Sequence, residues 1–417
     1  MSRRGAFGHR TRTFALLTLL TLLASACTGT REEQSATLLI VGTVQGATPQ
    51  LALVEDRRDG TALDDRMSFV PDSLRTLRAP AVSIDVTARE LGRDTAWVLA
   101  RSVAGTAVSA YLHRFDVANI DLTDPVGFAE VGTELVLVEP GGGGILPAEQ
   151  TTNSVICPSA LQSSRSGRWL LVLDVPAHCV PASSEFPVVW LVDTQAGSAT
   201  SLQVNTPDPV LAVAPYTDQR QDDERGFFLV AGTTSAQVFE VDFENATSNW
   251  YAGQLLAADP NELVAMAGRG SVLVALTNSQ LVGADLSVPA NRSQLGPVPA
   301  LGNGRQLVVD PLNRSDHALV LGASQVEVHT SLADDAPDTD RLNYAAAGAT
   351  IDAFRAFAYL LQDGAVVVVD LYTGGASGDP LAATPFEVPE LTLPLAPSGR
   401  RIGAISWVRA ADPPPAP

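Results

Sequence analysis

Cys157 and Cys179 are the residues whose type and spacing indicate the most definite chemistry. Both lie in loop-like sequence, VICPSAL and PAHCVPASS, on either side of the strand candidate Trp169–Val175. A disulfide would join the two ends of one hairpin unit and would contribute about 3 kcal/mol by loop closure. A metal site is the alternative, but the five histidines are scattered and show no pair at ligand spacing. The sequence therefore predicts a disulfide, with Cys27 left over for another use.

An acidic cluster near residue 335 is the second candidate for chemistry. Its four aspartates lie within seven residues, DDAPDTD, and they are Asp334, Asp335, Asp338 and Asp340. Calcium is bound by several oxygen ligands at such close spacing. The EF-hand pattern fails, however, because no Gly stands at its sixth place and no Glu at its twelfth. A solvated loop is the favoured interpretation, and calcium is only a weak candidate.

The sequence contains no convincing catalytic residue. Gly141–Gly144 are followed by Ile-Leu-Pro rather than by Gly-Lys-Ser/Thr and a helix, so a loop is favoured over a phosphate site. No Gly-x-Ser-x-Gly turn is present. His113 alternates with Tyr111 and Phe115 on a strand candidate, which favours a packed histidine over a catalytic base. We therefore predict no cofactor beyond the weak calcium candidate.

Composition excludes several broad classes of protein. The chain has 417 residues, 46 % of them hydrophobic, and a net charge of −19. This composition is too apolar for a disordered chain and does not fit collagen or a coiled coil. A phosphate backbone would be repelled, so a nucleic-acid partner is not expected.

The first 26 residues have the pattern of an export signal. Four arginines and no acid precede the apolar stretch Phe14–Leu23, which is too short to span a bilayer. Ala24-Ser25-Ala26 and then Cys27 follow. An ordinary secretory signal cleaved after Ala26 is one interpretation. Its removal would leave a net charge of −23, because the four arginines leave with it.

The segment ending at Cys27 also resembles the lipobox of bacterial lipoproteins. That resemblance implies cleavage before Cys27 and a diacylglyceryl group on its sulfur, although Leu23 stands one place earlier than the usual leucine. Two or three acyl chains are enough for stable anchoring. Residues 27–36 would then be the lipidated cysteine and a flexible tether, because Thr28–Ala36 are small and polar.

The remaining chain repeats one pattern, in which two short apolar runs are separated by a turn and followed by a polar loop. The runs are rich in Val, Leu and aromatic residues, which is typical of strands. A helical spacing competes in Ala345–Leu361, but the repeat favours strands there, and Asp363-Gly364 indicates a hairpin turn. The paired runs are Leu38–Val44 with Gln50–Glu55, Thr95–Ser102 with Ser109–Asp116, Arg168–Val175 with Pro187–Asp193, Gly226–Thr233 with Ala236–Phe243, Ser271–Thr277 with Gln280–Leu286, His317–Gly322 with Gln325–Thr330, and Ala356–Gln362 with Ala365–Leu371.

Seven such pairs predict an all-β fold, a β-propeller of seven four-stranded blades over residues 37–410. A lone hairpin cannot bury a core, so the units must stack against one another. Arg400–Arg409 is a strand candidate without a hairpin partner, and the first pair lacks a preceding strand. We expect this C-terminal strand to pair with the N-terminal blade and close the ring, which leaves residues 411–417 as a Pro-rich disordered tail.

Two segments, Ser164–Asp174 and Pro397–Val408, carry a more specific resemblance. SRSGRWLLVLD and PSGRRIGAISWV are similar to the SPDG-x-x-L-x-V pattern of YVTN/WD40-like β-propellers. In that family the Ser/Asp-Gly turn joins the two inner strands of a blade. The Gly-His and Trp-Asp signatures of true WD40 repeats are absent, so their hydrogen-bond residues cannot be transferred.

These observations favour a lipid-anchored binding or assembly platform that is not an enzyme. It would lie outside the cytoplasm, at the outer membrane facing the periplasm or at the cell surface, held to the membrane by its N-terminal lipid, as a monomer with a protein partner. The alternatives are a propeller hydrolase, lactonase or lyase with a central metal, and a glycan or cell-wall binder. For the latter, Trp250-Tyr251 would supply rim aromatics, whereas core packing explains Trp97, Trp169, Trp190 and Trp407.

Overall fold

The computed structural model describes the chain in segments. They are residues 36–57, 67–89, 92–117, 120, 128–146, 156–164, 167–183, 185–204, 210–215, 227–231, 237–243, 245–255, 263–269, 272–285, 294–309, 317–329, 339–343, 345–352, 357–362, 365–371, 386–387, 393–394 and 400–411. The proposed signal segment, Cys27 and the tail after Ala411 lie outside these residues. No helix in the described segments is long and apolar enough to cross a bilayer.

The described strands form seven sheets, each with a core of four strands. Sheet 1 contains β1 (Ala36–Gln45), β2 (Thr48–Arg57), β3 (Met67–Phe69), β4 (Arg75–Thr76) and the C-terminal strand β31 (Arg400–Ala411). Sheet 2 contains β5 (Ala81–Arg89), β6 (Gly92–Ala104), β7 (Ala107–Asp116) and β8 (Leu135–Val138). Sheet 3 contains β9 (Pro158–Ser163), β10 (Trp169–Asp174), β11 (Val188–Asp193) and β12 (Ser198–Ser201), with the short helix α1 (Pro176–Cys179) after β10.

The other four sheets follow in chain order. Sheet 4 contains β13 (Gln203–Val204), β14 (Val210–Pro215), β15 (Phe227–Ala231), β16 (Gln237–Asp242) and β17 (Thr247–Leu255). Sheet 5 contains β18 (Leu263–Arg269), β19 (Val272–Thr277), β20 (Gln280–Asp285) and β21 (Gln294–Pro299). Sheet 6 contains β22 (Gly304–Val309), β23 (Ala318–Gly322), β24 (Val326–His329) and β25 (Thr339–Leu342). Sheet 7 contains β26 (Gly348–Asp352), β27 (Phe357–Gln362), β28 (Ala365–Asp370), β29 (Phe386–Glu387) and β30 (Leu393–Pro394).

This arrangement is an all-β propeller of four-stranded antiparallel blades. Neighbouring strands within a sheet pair antiparallel, as in β6 with β7, and the two-residue strand β13 is a parallel addition beside β17. Contacts between sheets run from one inner strand to the next, for example from β31 to β5 and from β26 to β31. Each blade therefore packs against its neighbours through its faces, as blades in a propeller do.

Successive side chains of a strand pack on opposite faces of its sheet, which explains why the apolar runs are continuous. In β1, Leu38 and Ile40 belong to the core shared with sheet 2, whereas Leu39 and Val41 belong to the core shared with sheet 7. Successive side chains point to opposite faces of a strand, so a strand with a neighbour on each face needs apolar residues at every position. Burying one such side chain contributes about 1.5–3 kcal/mol.

The C-terminal strand β31 pairs antiparallel with β1 along the whole length of β1. Leu39 is the register partner of Trp407, and the register shifts at two places along the ladder. Trp407 is buried, and its backbone N–H donates to the Thr350 hydroxyl of sheet 7 at 3.0 Å. The chain end therefore contacts both the first and the last sheet, with the pairing that the sequence predicted.

All seven predicted hairpins are present within three residues of their expected bounds, including β27–β28, where Gln362 and Ala365 are register partners. The segment Ala345–Leu361, which had a competing helical spacing, contains β26 and most of β27. The prediction was incomplete, however, because it did not identify the inner strands β5, β9, β14, β18 and β22 or the outer strand of each sheet.

Candidate functional site

Cys157 and Cys179 form a disulfide, as the sequence predicted. Their Cα atoms are 5.9 Å apart, with Cys157 directly before β9 and Cys179 at the end of α1. The bond thus closes the open end of the β9–β10 hairpin. At its other end, Ser164 accepts and donates hydrogen bonds in the turn, and Gly167 has a positive φ of 69°. This turn joins the two inner strands of its blade, as the resemblance of Ser164–Asp174 implies.

The second segment with that resemblance, Pro397–Val408, is placed differently from the expectation. Residues 395–399 lie outside the described part of the chain. The strand that follows them, β31, is at the edge of sheet 1 and is the innermost strand of that blade. The Ser-Gly pair therefore precedes an inner strand instead of joining two inner strands of one blade. The expectation failed because the chain passes from sheet 7 to sheet 1 at this point.

A buried carboxylate lies beside the disulfide. Asp174 accepts hydrogen bonds from the Cys157 backbone N–H at 2.6 Å and from the Trp190 indole N–H at 3.1 Å. Arg101 donates to the Pro158 carbonyl and the Ser159 hydroxyl, both at 2.8 Å. Burial raises the pKa of Asp174 to about 6, and the two hydrogen bonds counteract this only in part.

We expect Asp174 to make the stability of the protein depend on pH. The folded pKa of about 6 lies above the unfolded value of 3.8. The stabilising contribution of protonation is therefore full below pH 3.8 and is lost as the pH rises through 6. Relative to Asp174→Asn, the free energy of unfolding of the wild type should rise by about 2 kcal/mol between pH 7 and pH 4. Urea unfolding of both proteins measures this, and a constant difference across that range would contradict it.

Gly141–Gly144 form a tight turn packed against β8. Gly141 and Gly142 have positive φ values of 103° and 88°. A Cβ on Gly144 would lie 2.4 Å from the Leu137 carbonyl oxygen. The following residues bond back to β8, with the Ile145 N–H 3.0 Å from the Val136 carbonyl oxygen. The glycines thus lie in an exposed surface turn, and only Gly144 is in close contact with β8.

His113 is the centre of a polar cluster on sheet 2. It lies on β7, and only 2 % of its side chain is exposed. Its alternation with Tyr111 and Phe115 was predicted, and the His113 and Phe115 rings are 6.4 Å apart. The Nδ1 atom of His113 lies 2.7 Å from Oε1 of Glu130, which forms an isolated bridge beside β7. The histidine is packed as expected, but it also has an acidic partner.

The same cluster includes Glu134, which directly precedes β8. Its Oε1 atom is 2.8 Å from Nε of Arg78, a half-exposed residue of the segment that connects sheet 1 to sheet 2. Arg78 also lies 3.5 Å from Glu139 and 5.3 Å from the centre of the Tyr111 ring. The cluster thus joins the third and fourth strands of sheet 2 to the preceding connection.

His113, Glu130 and Glu134 could together hold a metal ion. One ligand atom from each residue lies within 4.8 Å of the other two. No other group of three His, Cys, Asp or Glu side chains comes this close in the described residues. The sequence did not indicate this group, because the two glutamates follow His113 by 17 and 21 residues and the strand pairing that joins them is not local. The four-residue spacing of the glutamates was the only available signal.

Two further polar networks are built around buried carboxylates between strands or sheets. In sheet 6, Glu327 accepts a hydrogen bond from the Leu301 N–H at 2.6 Å and from the Arg341 Nε at 2.8 Å. Between sheets 1 and 7, the Tyr359 hydroxyl donates to Asp56 at 2.6 Å, and the Thr37 hydroxyl donates to Asp352. Each of these networks satisfies charges that the core would otherwise leave uncompensated.

The structure describes only some of the remaining residues for which the sequence made a prediction. Cys27 and three of the calcium candidates, Asp334, Asp335 and Asp338, lie outside the described residues, and Asp340 lies on β25 as the register partner of Val328. Trp97, Trp190 and Trp407 are buried, as expected for core residues. Trp169 stacks on Phe243 of the next sheet at 5.6 Å. The expectation for the Trp250 side chain also falls outside what the structure describes.

Comparison with known proteins supports the fold and nothing finer. No protein-family model matches the chain, and no curated protein matches it. A solved structure of a functionally unknown protein from Desulfotomaculum acetoxidans is similar, with a TM-score of 0.52 and 11 % identity over 89 % of this chain and 99 % of that chain. A protein from Lactobacillus plantarum is similar with a TM-score of 0.51 and 12 % identity over 90 % of this chain and 100 % of that chain.

Proposed function

We propose that this chain is a lipid-anchored β-propeller outside the cytoplasm that acts as a binding or assembly platform. The observation that carries the proposal is the propeller of antiparallel four-stranded blades, a rigid scaffold whose loops are free to carry recognition residues. The export-signal pattern before Cys27 and the net charge of −23 after Ala26 support an exported protein with an acidic surface.

We include in this proposal a ring of seven blades, closed by β31, of the YVTN/WD40-like kind. Support comes from the pairing of β31 with β1 and from the turn at Ser164–Trp169. The buried pairs Tyr359 with Asp56 and Thr37 with Asp352 join the first sheet to the last. A closed ring leaves no blade face unpaired, which suits a scaffold that presents loops on fixed supports.

The anchor is tested by replacing Cys27 in the full-length chain. We expect the wild type to incorporate labelled palmitate and to sediment with membranes, whereas Cys27→Ser should incorporate none and should leave the membrane fraction. Cys157→Ser is the matched control, because it removes a cysteine that forms the disulfide and should keep both the label and the membrane location. An unlabelled wild type, or a Cys27→Ser variant that remains labelled, would overturn the anchor.

The platform role is tested on detergent-solubilised membranes. The tagged wild type should recover a partner in stoichiometric amount, and the purified protein should turn over no substrate. The competing hypothesis is a propeller hydrolase, lactonase or lyase with a metal on the central axis. Turnover of a substrate by the pure protein, together with no recovered partner, would replace the platform with that enzyme.

A further inference from the structure

We propose that His113, Glu130 and Glu134 form a binding site for a first-row divalent transition metal at the outer edge of sheet 2. This site is independent of the platform function and lies on the third and fourth strands of its blade. It would connect β7 to the segment that leads into β8, two stretches separated by about twenty residues of chain. A cation held there would fasten the outer half of the blade.

The spacing of the ligand atoms suits a metal after small movements. The three atoms lie within 4.8 Å of one another, and the His113 Nδ1 and Glu130 Oε1 atoms are already 2.7 Å apart. Metal–ligand bonds of about 2.0–2.2 Å place neighbouring ligands roughly 3–4 Å apart. Binding would therefore replace the His113–Glu130 hydrogen bond and draw Glu134 slightly inward.

The His113 imidazole presents its Nδ1 atom to the carboxylates. Its side chain is almost fully buried, and Nδ1 lies 2.7 Å from Oε1 of Glu130. The other ring nitrogen, Nε2, has no hydrogen-bond partner within the described residues, and a metal bound at Nδ1 would leave that unchanged. The ligand for the ion is therefore Nδ1, which a buried side chain holds in a fixed position.

In the structure, the positive charge beside Glu134 comes from Arg78. Its guanidinium contacts Glu134 at 2.8 Å, but its side chain is 53 % exposed and Glu139 lies 3.5 Å away as another acceptor. An exposed ion pair of this kind contributes about 0–1 kcal/mol, so its displacement costs little. Metal binding would move Arg78 from Glu134 toward Glu139.

The donor set selects the class of metal. One imidazole nitrogen with two carboxylates suits zinc, manganese, iron or cobalt, and the two negative charges balance a divalent ion. Calcium prefers oxygen ligands alone and in larger number, so it should bind poorly. Three protein ligands leave a coordination position open to water.

The experiment is a titration of the purified, chelator-treated full-length chain with Zn²⁺, followed by calorimetry, and with Co²⁺, followed by visible absorption. We expect saturable binding of one ion, with a Co²⁺ spectrum of low coordination number. Glu134→Gln and Glu130→Gln should each weaken Zn²⁺ binding by at least about tenfold. Both glutamates lie at the surface, so these variants should keep the wild-type unfolding transition.

Two variants of neighbouring residues distinguish the site from nonspecific binding by acidic groups. Arg78→Gln removes the competing cation and should tighten Zn²⁺ binding by a few fold. Glu139→Gln removes an adjacent acid that is not a ligand and should leave the affinity within about twofold of the wild type. The proposal is overturned if no saturable binding occurs, or if Glu134→Gln and Glu139→Gln bind Zn²⁺ equally well.

Discussion

Removal of β31 should abolish the cooperative folding of the whole propeller. A chain ending at residue 399 loses the strand that pairs with β1, and it loses the buried side chains of Ala404, Trp407 and Val408. Sheets 2 and 7 would still lie on the two faces of β1. One hydrogen-bonding edge of β1, and the space that β31 fills between sheets 1, 2 and 7, would be exposed to water. We expect no sigmoidal thermal transition by near-ultraviolet circular dichroism.

A truncation after Ala411 is the matched control for that result. It removes only the Pro-rich residues 412–417 and should unfold at the wild-type temperature. Trp407→Ala is the milder variant, and it should cost about 3–5 kcal/mol because it leaves a large cavity in the core. A chain ending at residue 399 with an unchanged unfolding temperature would show that β31 is not needed to hold the blades together.

The hairpins could be predicted from sequence because their signals are local. A run such as Phe357–Gln362, followed two residues later by Ala365–Asp370, is apolar at nearly every position and is interrupted by an Asp-Gly turn. This hairpin signal does not depend on the fold of the rest of the chain. The pairing of β31 was also accessible, since a strand without a hairpin partner at one end matched a missing strand at the other.

The inner strand β9 was less accessible because its sequence is short and poor in local signals. Its six residues, PSALQS, include none of the β-branched and aromatic residues that mark strands. Hydrogen bonds from the neighbouring blade hold it in place. The Asp85 carboxylate of β5 accepts the Ser163 N–H at 2.7 Å, and the Ser83 hydroxyl accepts the Leu161 N–H at 3.3 Å. Such contacts depend on the assembled propeller, so no window of sequence contains them.

The candidate site was missed for the same reason. His113 could be placed on a strand by alternation, but Glu130 and Glu134 come from the connection that precedes β8. The pairing of β7 with β8 and the bridge between Phe115 and Glu130 bring these residues together. In contrast, the disulfide could be predicted because the two cysteines flank a single hairpin, and the ends of a hairpin are adjacent by construction.

Glu327→Ala should be among the most destabilising point substitutions in the protein. Glu327 and His329 are fully buried, and the Glu327 carboxylate accepts hydrogen bonds from Leu301, His329 and Arg341. Burial lowers the pKa of His329, although the neighbouring carboxylate counteracts this. Without the carboxylate, the Leu301 N–H and the His329 ring stay buried without their acceptor, at about 1–3 kcal/mol for each lost partner. The free energy of unfolding in urea measures this loss.

Two substitutions separate the loss of charge from the loss of hydrogen bonds. Glu327→Gln keeps the size and one acceptor, but it turns an amide –NH₂ toward the remaining donors, so it should cost about 1–3 kcal/mol. Arg341→Ala removes a cation whose side chain is 63 % exposed, while the two other donors to Glu327 remain. It should therefore destabilise less than Glu327→Ala. If all three variants unfold at the same urea concentration as the wild type, the network does not hold sheet 6 to the preceding connection at Leu301, and apolar packing alone carries that junction.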